Sequence, residues 1–375
     1  MKKRVVVAMS GGVDSSLAAC LLKEKGYEVI GATMRIWKEE GQRNPYGCCG
    51  AVDVADARRI AQQLGIPYYV FNLEEEFEKE VIQYFCEEYQ RGRTPNPCIL
   101  CNERMKFGVF LRKALELEAD WFATGHYARV ALDEGTGRYV LRKGIDKKKD
   151  QSYVLFSLTQ DQLDHALFPI GDYVKEEVRS KALHVGLRVH DKPESQEICF
   201  IHESSYHSFL KERLAGSVKP GSIVDKDGDI LGEHKGIPFY TIGQRRGLRL
   251  AKGKPLYVVG IDPEKNVIIV GGKEDVFADT FIVDSLNWTS PQDTSSPFSA
   301  QVKIRYNHPG SEAVLSPGRE NEIEIKFNTP QKAITPGQAA VFYDGDTVLG
   351  GGWIKEVRRE GWRMKDGGWR MEDEG

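Results

Sequence analysis

Ser10-Gly11-Gly12-Val13-Asp14-Ser15-Ser16 combines residue types suited to holding an anion. The run follows a short β-branched stretch, Val5 to Ala8, and precedes a helical pattern from Leu17 to Lys25 that stops at Gly26. Backbone N–H groups at a helix start attract negative charge, and the helix dipole adds to the attraction. Glycines let the main chain approach the anion, and serine hydroxyls supply further donors. Phosphate fits such a loop, although an ordinary strand-to-helix turn is the plainer alternative. No Lys-Ser/Thr pair follows a four-residue spacer, so this is not the lysine-bearing loop that cradles a transferable γ-phosphate.

Thiols form the second chemical set. In Asn96-Pro97-Cys98-Ile99-Leu100-Cys101-Asn102 a Cys-x-x-Cys pair precedes a helical pattern from about Glu103 to Leu117. That places Cys101 near a helix amino terminus, where a thiolate is favoured. Cys199 stands in Ser195-Gln196-Glu197-Ile198-Cys199-Phe200. A single Cys-x-x-Cys is half of the four-ligand set a closed zinc site needs, and a thioredoxin-like redox role remains a second possibility. Cys20 and Cys86 occupy apolar helix positions and read as core. Cys48-Cys49, in a glycine-flanked loop, reads as structural, with metal or redox chemistry as the alternative. Seven cysteines, an odd number without small-domain spacing, argue against a disulfide framework.

Repeated strand–helix units must position these groups. Glu28 to Ile36 and Ile66 to Asn72 read as strands, Asp53 to Leu64 and Glu74 to Gln90 as helices, and Trp121 to Thr124 as another strand. Such β-α-β repetition implies a parallel sheet covered on both faces. The texture changes near Lys143. Gln160 to Leu187 looks helical, broken at Pro169-Ile170-Gly171, and the chain after about Glu203 is glycine-rich with short strands. From Phe281 to about Val357 short alternating strands with turn signals read as a small β-barrel. Gly361-Trp362-Arg363-Met364-Lys365-Asp366 nearly repeats as Gly368-Trp369-Arg370-Met371-Glu372-Asp373, and this tail is expected to be disordered. The expected division is a catalytic domain at 1–202, a small central domain at 203–278, a barrel at 279–358 and a tail at 359–375.

The chain has 375 residues, enough for two or three domains, with 41% apolar and 29% charged residues as in ordinary soluble proteins. Its amino terminus carries too short an apolar run for a signal peptide or a membrane span, so a cytoplasmic location is expected. A net charge of -3 does not advertise nucleic acid, so a basic footprint must be local. Arg142, Lys143, Lys147, Lys148 and Lys149 form one cluster, and Arg245, Arg246 and Arg249 another. Each could equally be a solvated face. His126, in Gly125-His126-Tyr127, falls at the carboxyl end of an expected strand, where open α/β sheets bind ligands.

Ser10 to Ser16 resembles the loop of the PP-loop ATP pyrophosphatases, which cleave ATP between the α- and β-phosphates and adenylylate an oxygen. The resemblance implies that the loop holds pyrophosphate and that Asp14 helps to bind Mg2+ or the phosphates. Thr124-Gly125-His126-Tyr127-Ala128-Arg129, Lys149-Asp150-Gln151-Ser152-Tyr153, Gly243-Gln244-Arg245-Arg246-Gly247 and Pro336-Gly337-Gln338 add to the loop and the two cysteine motifs. In this order, over most of the chain, they resemble the tRNA-specific 2-thiouridylases.

That resemblance implies an α/β fold: a PP-loop parallel-sheet domain of the adenine nucleotide alpha hydrolase type, a small central domain and a carboxy-terminal β-barrel. It implies ATP contacts at Ala8, Met9, Ser10, Gly11, Gly12, Val13, Asp14, Ser15, Met34 and Gly125. It implies tRNA contacts at His126, Lys149, Asp150, Gln151, Arg305, Tyr306 and Gln338, with Asn96, Pro97 and Cys98 meeting the target base. Cys199 would receive sulfur as a persulfide from a donor protein, Cys101 would be the partner nucleophile, and the two would pass through a transient disulfide. Many members carry Asp where this chain has Cys98, so an acid–base role for that Asp does not carry over. Cys98, Cys101 and Cys199 form a set that could instead hold an iron–sulfur cluster with one open iron.

Two rivals compete with this reading. Another PP-loop enzyme, an amidotransferase or small-molecule synthetase, would be favoured by a glutaminase module with its own nucleophile, which the sequence does not show; a tRNA lysidine synthetase would need no cysteine pair, so the thiols weigh against it. A non-catalytic RNA-binding protein would show an eroded phosphate loop, whereas Ser10, Gly11, Gly12, Asp14 and Ser15 are all present.

Overall fold

Three consecutive valines begin the architecture. In a computed structural model of the chain, Val5, Val6 and Val7 are fully buried in the strand β1 (Arg4–Ala8). Alternation sends Val5 and Val7 to one side, against Leu17, Ala18 and Ile60, and Val6 to the other, against Phe77 and Phe110. A strand with no polar face must be covered twice, as parallel sheets are. The structure describes residues 2–36, 50–192, 198–201, 206–250 and 253–359, and the backbone of 362–365 and 368–371. Cys48-Cys49 and Ser195-Gln196-Glu197 lie outside these described residues.

The first sheet contains β1, β2 (Glu28–Arg35), β3 (Tyr68–Asn72), β4 (Trp121–Ala123) and, after a hairpin of β5 (Ala128–Asp133) and β6 (Arg138–Lys143), the two-residue β7 (Ala166–Leu167). Its order is β3-β2-β1-β4-β7, all parallel. Successive strands add on one side of β1 until β4 crosses to the other, so a switch point lies between the carboxyl ends of β1 and β4. Ligands bind in that crevice in open α/β sheets. Helices α1 (Val13–Glu24) and α2 (Ala51–Leu64) cover one face, and longer helical runs cover the other.

One such run starts earlier than the sequence pattern suggests. Asn96 caps it, Pro97 takes the first helical position, and Cys101–Phe110 continues as a π-helix between Pro97–Leu100 and Leu111–Glu116. The helical reading of 160–187 is also revised. Gln160–Asp164 and Lys175–His184 are helices, but Ala166–Leu167 between them joins the sheet.

A mixed four-stranded sheet follows, formed by β8 (Gly221–Val224), β9 (Ile230–His234), β10 (Tyr257–Asp262) and β11 (Val267–Gly271). The barrel contains β12 (Phe277–Trp288), β13 (Phe298–Lys303), β14 (Ser311–Pro317), β15 (Ile323–Lys332), β16 (Ala339–Asp344) and β17 (Thr347–Arg358). Pairing of β12 with β17 closes it, and closure removes the exposed edges. The β5–β6 hairpin belongs to this sheet rather than to the first, through Thr347 opposite Arg142. The tail repeat pairs with itself as β18 (Trp362–Lys365) and β19 (Gly368–Met371), in antiparallel register. Among the described residues no helix is long and apolar enough to cross a membrane.

Candidate active site

The phosphate loop lies at the switch point. Gly12 caps α1 and, lacking a side chain, leaves the first-turn N–H groups open to an incoming anion. Gly11 has φ +69°, and a Cβ there would lie 2.4 Å from the Asp53 carbonyl oxygen of α2, so only glycine fits. The Ser10 N–H donates to Ser15 Oγ at 3.1 Å, and the Ser16 hydroxyl donates to the Gly12 carbonyl at 2.7 Å. Gly125, just after β4, closes on the same turn: a Cβ there would come within 2.6 Å of the Ser15 nitrogen. The structure thus brings Ser10, Gly11, Gly12, Val13, Asp14, Ser15 and Gly125 to one place. Ala8 ends β1, while Met9 and Met34 are buried in the apolar clusters on either side of the sheet.

Two lysines that the sequence reading did not single out converge here. Lys175 Nζ donates to both carboxylate oxygens of Asp14 at 2.8 Å, and the Tyr127 hydroxyl donates to Asp14 Oδ1 at 2.7 Å. Lys192 Nζ donates to Asp53 and Asp56 at 2.8 Å and to the Gly11 carbonyl at 3.1 Å. Lys192 thereby ties the chain upstream of Cys199 to the loop and to α2. No local pattern reveals either residue, because each partner is more than a hundred positions away.

His126 is buried, with Nδ1 2.6 Å from Thr124 Oγ1 and Nε2 3.5 Å from Lys106 Nζ. Burial, helped by the Lys106 charge, holds its pKa well below the usual histidine value, so the ring is neutral at physiological pH. A neutral imidazole in this position is better suited to a hydrogen bond than to a phosphate ion pair.

The cysteine helix changes the ranking of its thiols. Asn96 Oδ1 accepts from the Cys98 N–H at 3.1 Å, so Cys98 sits in the first turn while Cys101 lies one turn further in. Dipole stabilisation falls off within that turn, so it acts first on Cys98. Cys98 is exposed; Cys101 and Cys199 are half-buried and border the same apolar cluster, which contains Phe77, Phe85 and Phe200. Among the described residues no group of three His, Cys, Asp or Glu side chains could hold a metal ion, so the three-thiol set does not fit an iron–sulfur cluster as arranged. Asp14 is the loop's carboxylate, and both of its oxygens already accept from Lys175, which leaves no preformed Mg2+ site on it.

The positions expected to meet RNA fall on two seams around the barrel. Tyr153, fully buried, donates to the Ala339 carbonyl at 2.9 Å and meets the exposed Tyr306 edge-on, with centroids 6.1 Å apart. This brings the Lys149-Asp150-Gln151 turn and Arg305-Tyr306 together. Asp150 works inside that turn, accepting from the Gly144 and Ser152 N–H groups at 3.1 Å, and Gln151 Oε1 accepts from the Tyr127 N–H at 3.0 Å. Arg305 donates to the Lys332 carbonyl at 3.1 Å. The second seam is at Thr94. Its N–H donates to the Pro336 carbonyl, and its own carbonyl accepts from Gln338 Nε2, both at 2.8 Å. The barrel therefore braces the segment that enters Asn96, Pro97 and Cys98. Arg142, Lys147, Lys148, Arg245, Arg246 and Arg249 are exposed.

Comparison with known proteins gives three domain matches along the chain. They are described as a tRNA methyl transferase HUP domain over residues 3–203, a tRNA methyl transferase PRC-barrel domain over 207–272 and an aminomethyltransferase beta-barrel domain over 278–354. Among curated relatives, tRNA-specific 2-thiouridylase MnmA of Carboxydothermus hydrogenoformans is 53% identical, covering 95% of this chain and 98% of that protein. The proteins of the same name from Desulforamulus reducens and Halothermothrix orenii are 50% and 52% identical, covering 96% and 94% of this chain and 99% of each relative. The domain descriptions carry a methyl-transfer name and the relatives a thiolation name. The relatives match across all three domains together, at identities no single-domain description specifies, so they decide the family.

Proposed function

The chain belongs to the tRNA-specific 2-thiouridylase family, and from that premise we propose that it uses ATP to replace the C2 oxygen of the tRNA wobble uridine with sulfur. The observation that carries this reading is the loop at the switch point, with an open helix start and glycines where any side chain would collide. The first-turn N–H groups would hold the phosphates, with Ser10 and Ser15 beside them. Magnesium would arrive with the nucleotide, and Asp14, the carboxylate within the loop, would help to hold it.

In the first half-reaction the uracil C2 oxygen attacks the α-phosphorus. The bond from that phosphorus to the bridging oxygen breaks, and pyrophosphate departs with the electron pair. An oxygen bound to AMP is a good leaving group, which an amide-like oxygen is not. In the second, Cys199 carries a persulfide delivered by a donor protein. The Cys101 thiolate attacks the inner sulfur, forming a Cys101–Cys199 disulfide and releasing hydrosulfide, which displaces AMP at C2. An external dithiol then reduces the disulfide. Both thiols are half-buried, and exchange needs access together with limited water.

Asn96, Pro97 and Cys98 would frame the flipped base, with His126 as a neutral hydrogen-bonding group near the nucleotide. Lys149 and Tyr306, with the exposed arginines and lysines, would take the RNA backbone and a stacked base. Asp150, Gln151, Arg305 and Gln338 would act by shaping those surfaces, since their side chains are bonded within the protein.

Pyrophosphate release tests the ATP half. With ATP, magnesium and tRNA lacking the modification, pyrophosphate should appear, AMP should follow once sulfide is added, and omitting the tRNA should abolish the release of both. Production of ADP and phosphate instead would place cleavage at the wrong bond and end this reading.

A further inference from the structure

We propose that Lys175 supplies the cation missing from the phosphate loop, passing from Asp14 to the departing pyrophosphate when the nucleotide binds. The inference rests on the ATP reading above and assigns a residue that neither the motif nor the loop's sequence contains. Lys175 is almost fully buried, with its side chain 8% exposed. It also occupies the first position of the helix Lys175–His184. A cation is disfavoured at a helix amino terminus, and burial disfavours it again. A side chain of this kind persists where a partner compensates, and Asp14, in the first turn of α1, is such a partner. The backbone fixes the start of the stem: the Lys175 N–H donates to Asp146 Oδ2 at 3.0 Å. The ammonium also lies 5.6 Å from the centre of the Tyr127 ring, whose hydroxyl shares Asp14.

This geometry sets two roles for one ammonium. Without nucleotide it neutralises a carboxylate that would repel phosphate from the loop. With nucleotide, oxygens held at the first-turn N–H groups come within one side-chain rotation of Nζ. As the bond between the α-phosphorus and the bridging oxygen breaks, negative charge grows on the pyrophosphate, and a desolvated ammonium stabilises it more than the ground state. Asp14, released from Lys175, becomes free to meet the magnesium that accompanies the phosphates.

The test uses the full chain with Lys175→Met, and Lys175→Gln as a second variant whose amide can still donate to Asp14. Binding of inorganic pyrophosphate and of AMP is measured by calorimetry, beside tRNA-dependent pyrophosphate release. The expected result is pyrophosphate affinity lower by roughly tenfold or more, AMP affinity unchanged, and kcat lower by about a hundredfold with a small change in the KM for ATP. Equal loss of both ligands, or of neither, with kcat unchanged in a folded variant would overturn the proposal. If the unsubstituted protein released no pyrophosphate in the presence of tRNA, the ATP reading itself would fail, which is a separate outcome.

Discussion

Burial sorts the thiols by reactivity. Cys20 and Cys86 lie in the core, and burial pushes each thiol up to about 11, with Glu24 adding to the effect at Cys20. Both are protonated and shielded at pH 8, whereas Cys98 is exposed and sits in a helix first turn. Brief iodoacetamide treatment of native protein should therefore label Cys98 first, Cys101 and Cys199 more slowly, and Cys20 and Cys86 only after unfolding. Peptide mass spectrometry reads the order, and labelling of Cys20 at the rate of Cys98 would contradict it. The phosphate loop was legible in the sequence because its glycines, serines and flanking strand and helix are contiguous. Lys175 and Lys192 were not, because their carboxylate partners arrive from distant parts of the chain.

Elements hold the Cys199 segment as well as the loop. Phe200, next to Cys199, is 1% exposed and packs edge-on against Phe77 and Phe85, with centroids 5.9 and 5.2 Å apart. Lys192 anchors the other side of that segment to Asp53, Asp56 and Gly11. Phe200→Ala should cost about 3–5 kcal/mol in a urea titration and speed alkylation of Cys199, since the cavity opens beside it. A loss below about 1 kcal/mol would show that Phe200 is not part of this core. Sequence periodicity found most strands and helices here because apolar spacing is local. It misplaced the start of the cysteine helix because Asn96-Pro97 reads as a turn until the Asn96 side chain is seen capping Cys98. It did not show that the β5–β6 hairpin joins the barrel sheet, since β5 and β6 pair locally with each other and only Arg142 of β6 meets the distant Thr347.

At the scale of the molecule, Thr94 joins three parts: it bonds the barrel at Pro336 and Gln338, and its hydroxyl reaches Thr241 of the central part at 3.5 Å. The barrel itself was legible, since β13, β14 and the first half of β15 alternate buried residues with more exposed ones. Its bracing of the cysteine helix was not, because that depends on the docking of finished domains. Three buried histidines make the whole fold sensitive to acid. Burial lowers His126, His234 and His308 from the usual 6.5. Unfolded chains take up these protons near pH 6.5 and the folded protein only lower, so stability is complete above 6.5 and falls as the pH drops below it. The urea midpoint should therefore fall between about pH 7.5 and 5.5, and His308→Gln should reduce the fall. A midpoint that stays level across that window would contradict the assignment of neutral buried rings.

The most direct test of the account gives the protein ATP, magnesium, sulfide and unmodified tRNA, then analyses the digested nucleosides by mass spectrometry. The account predicts 2-thiouridine at the wobble position, dependent on ATP. With a persulfide-charged donor replacing free sulfide, Cys101→Ser and Cys199→Ser should each abolish the product. Pyrophosphate release without any thionucleoside would contradict the sulfur chemistry proposed for this site.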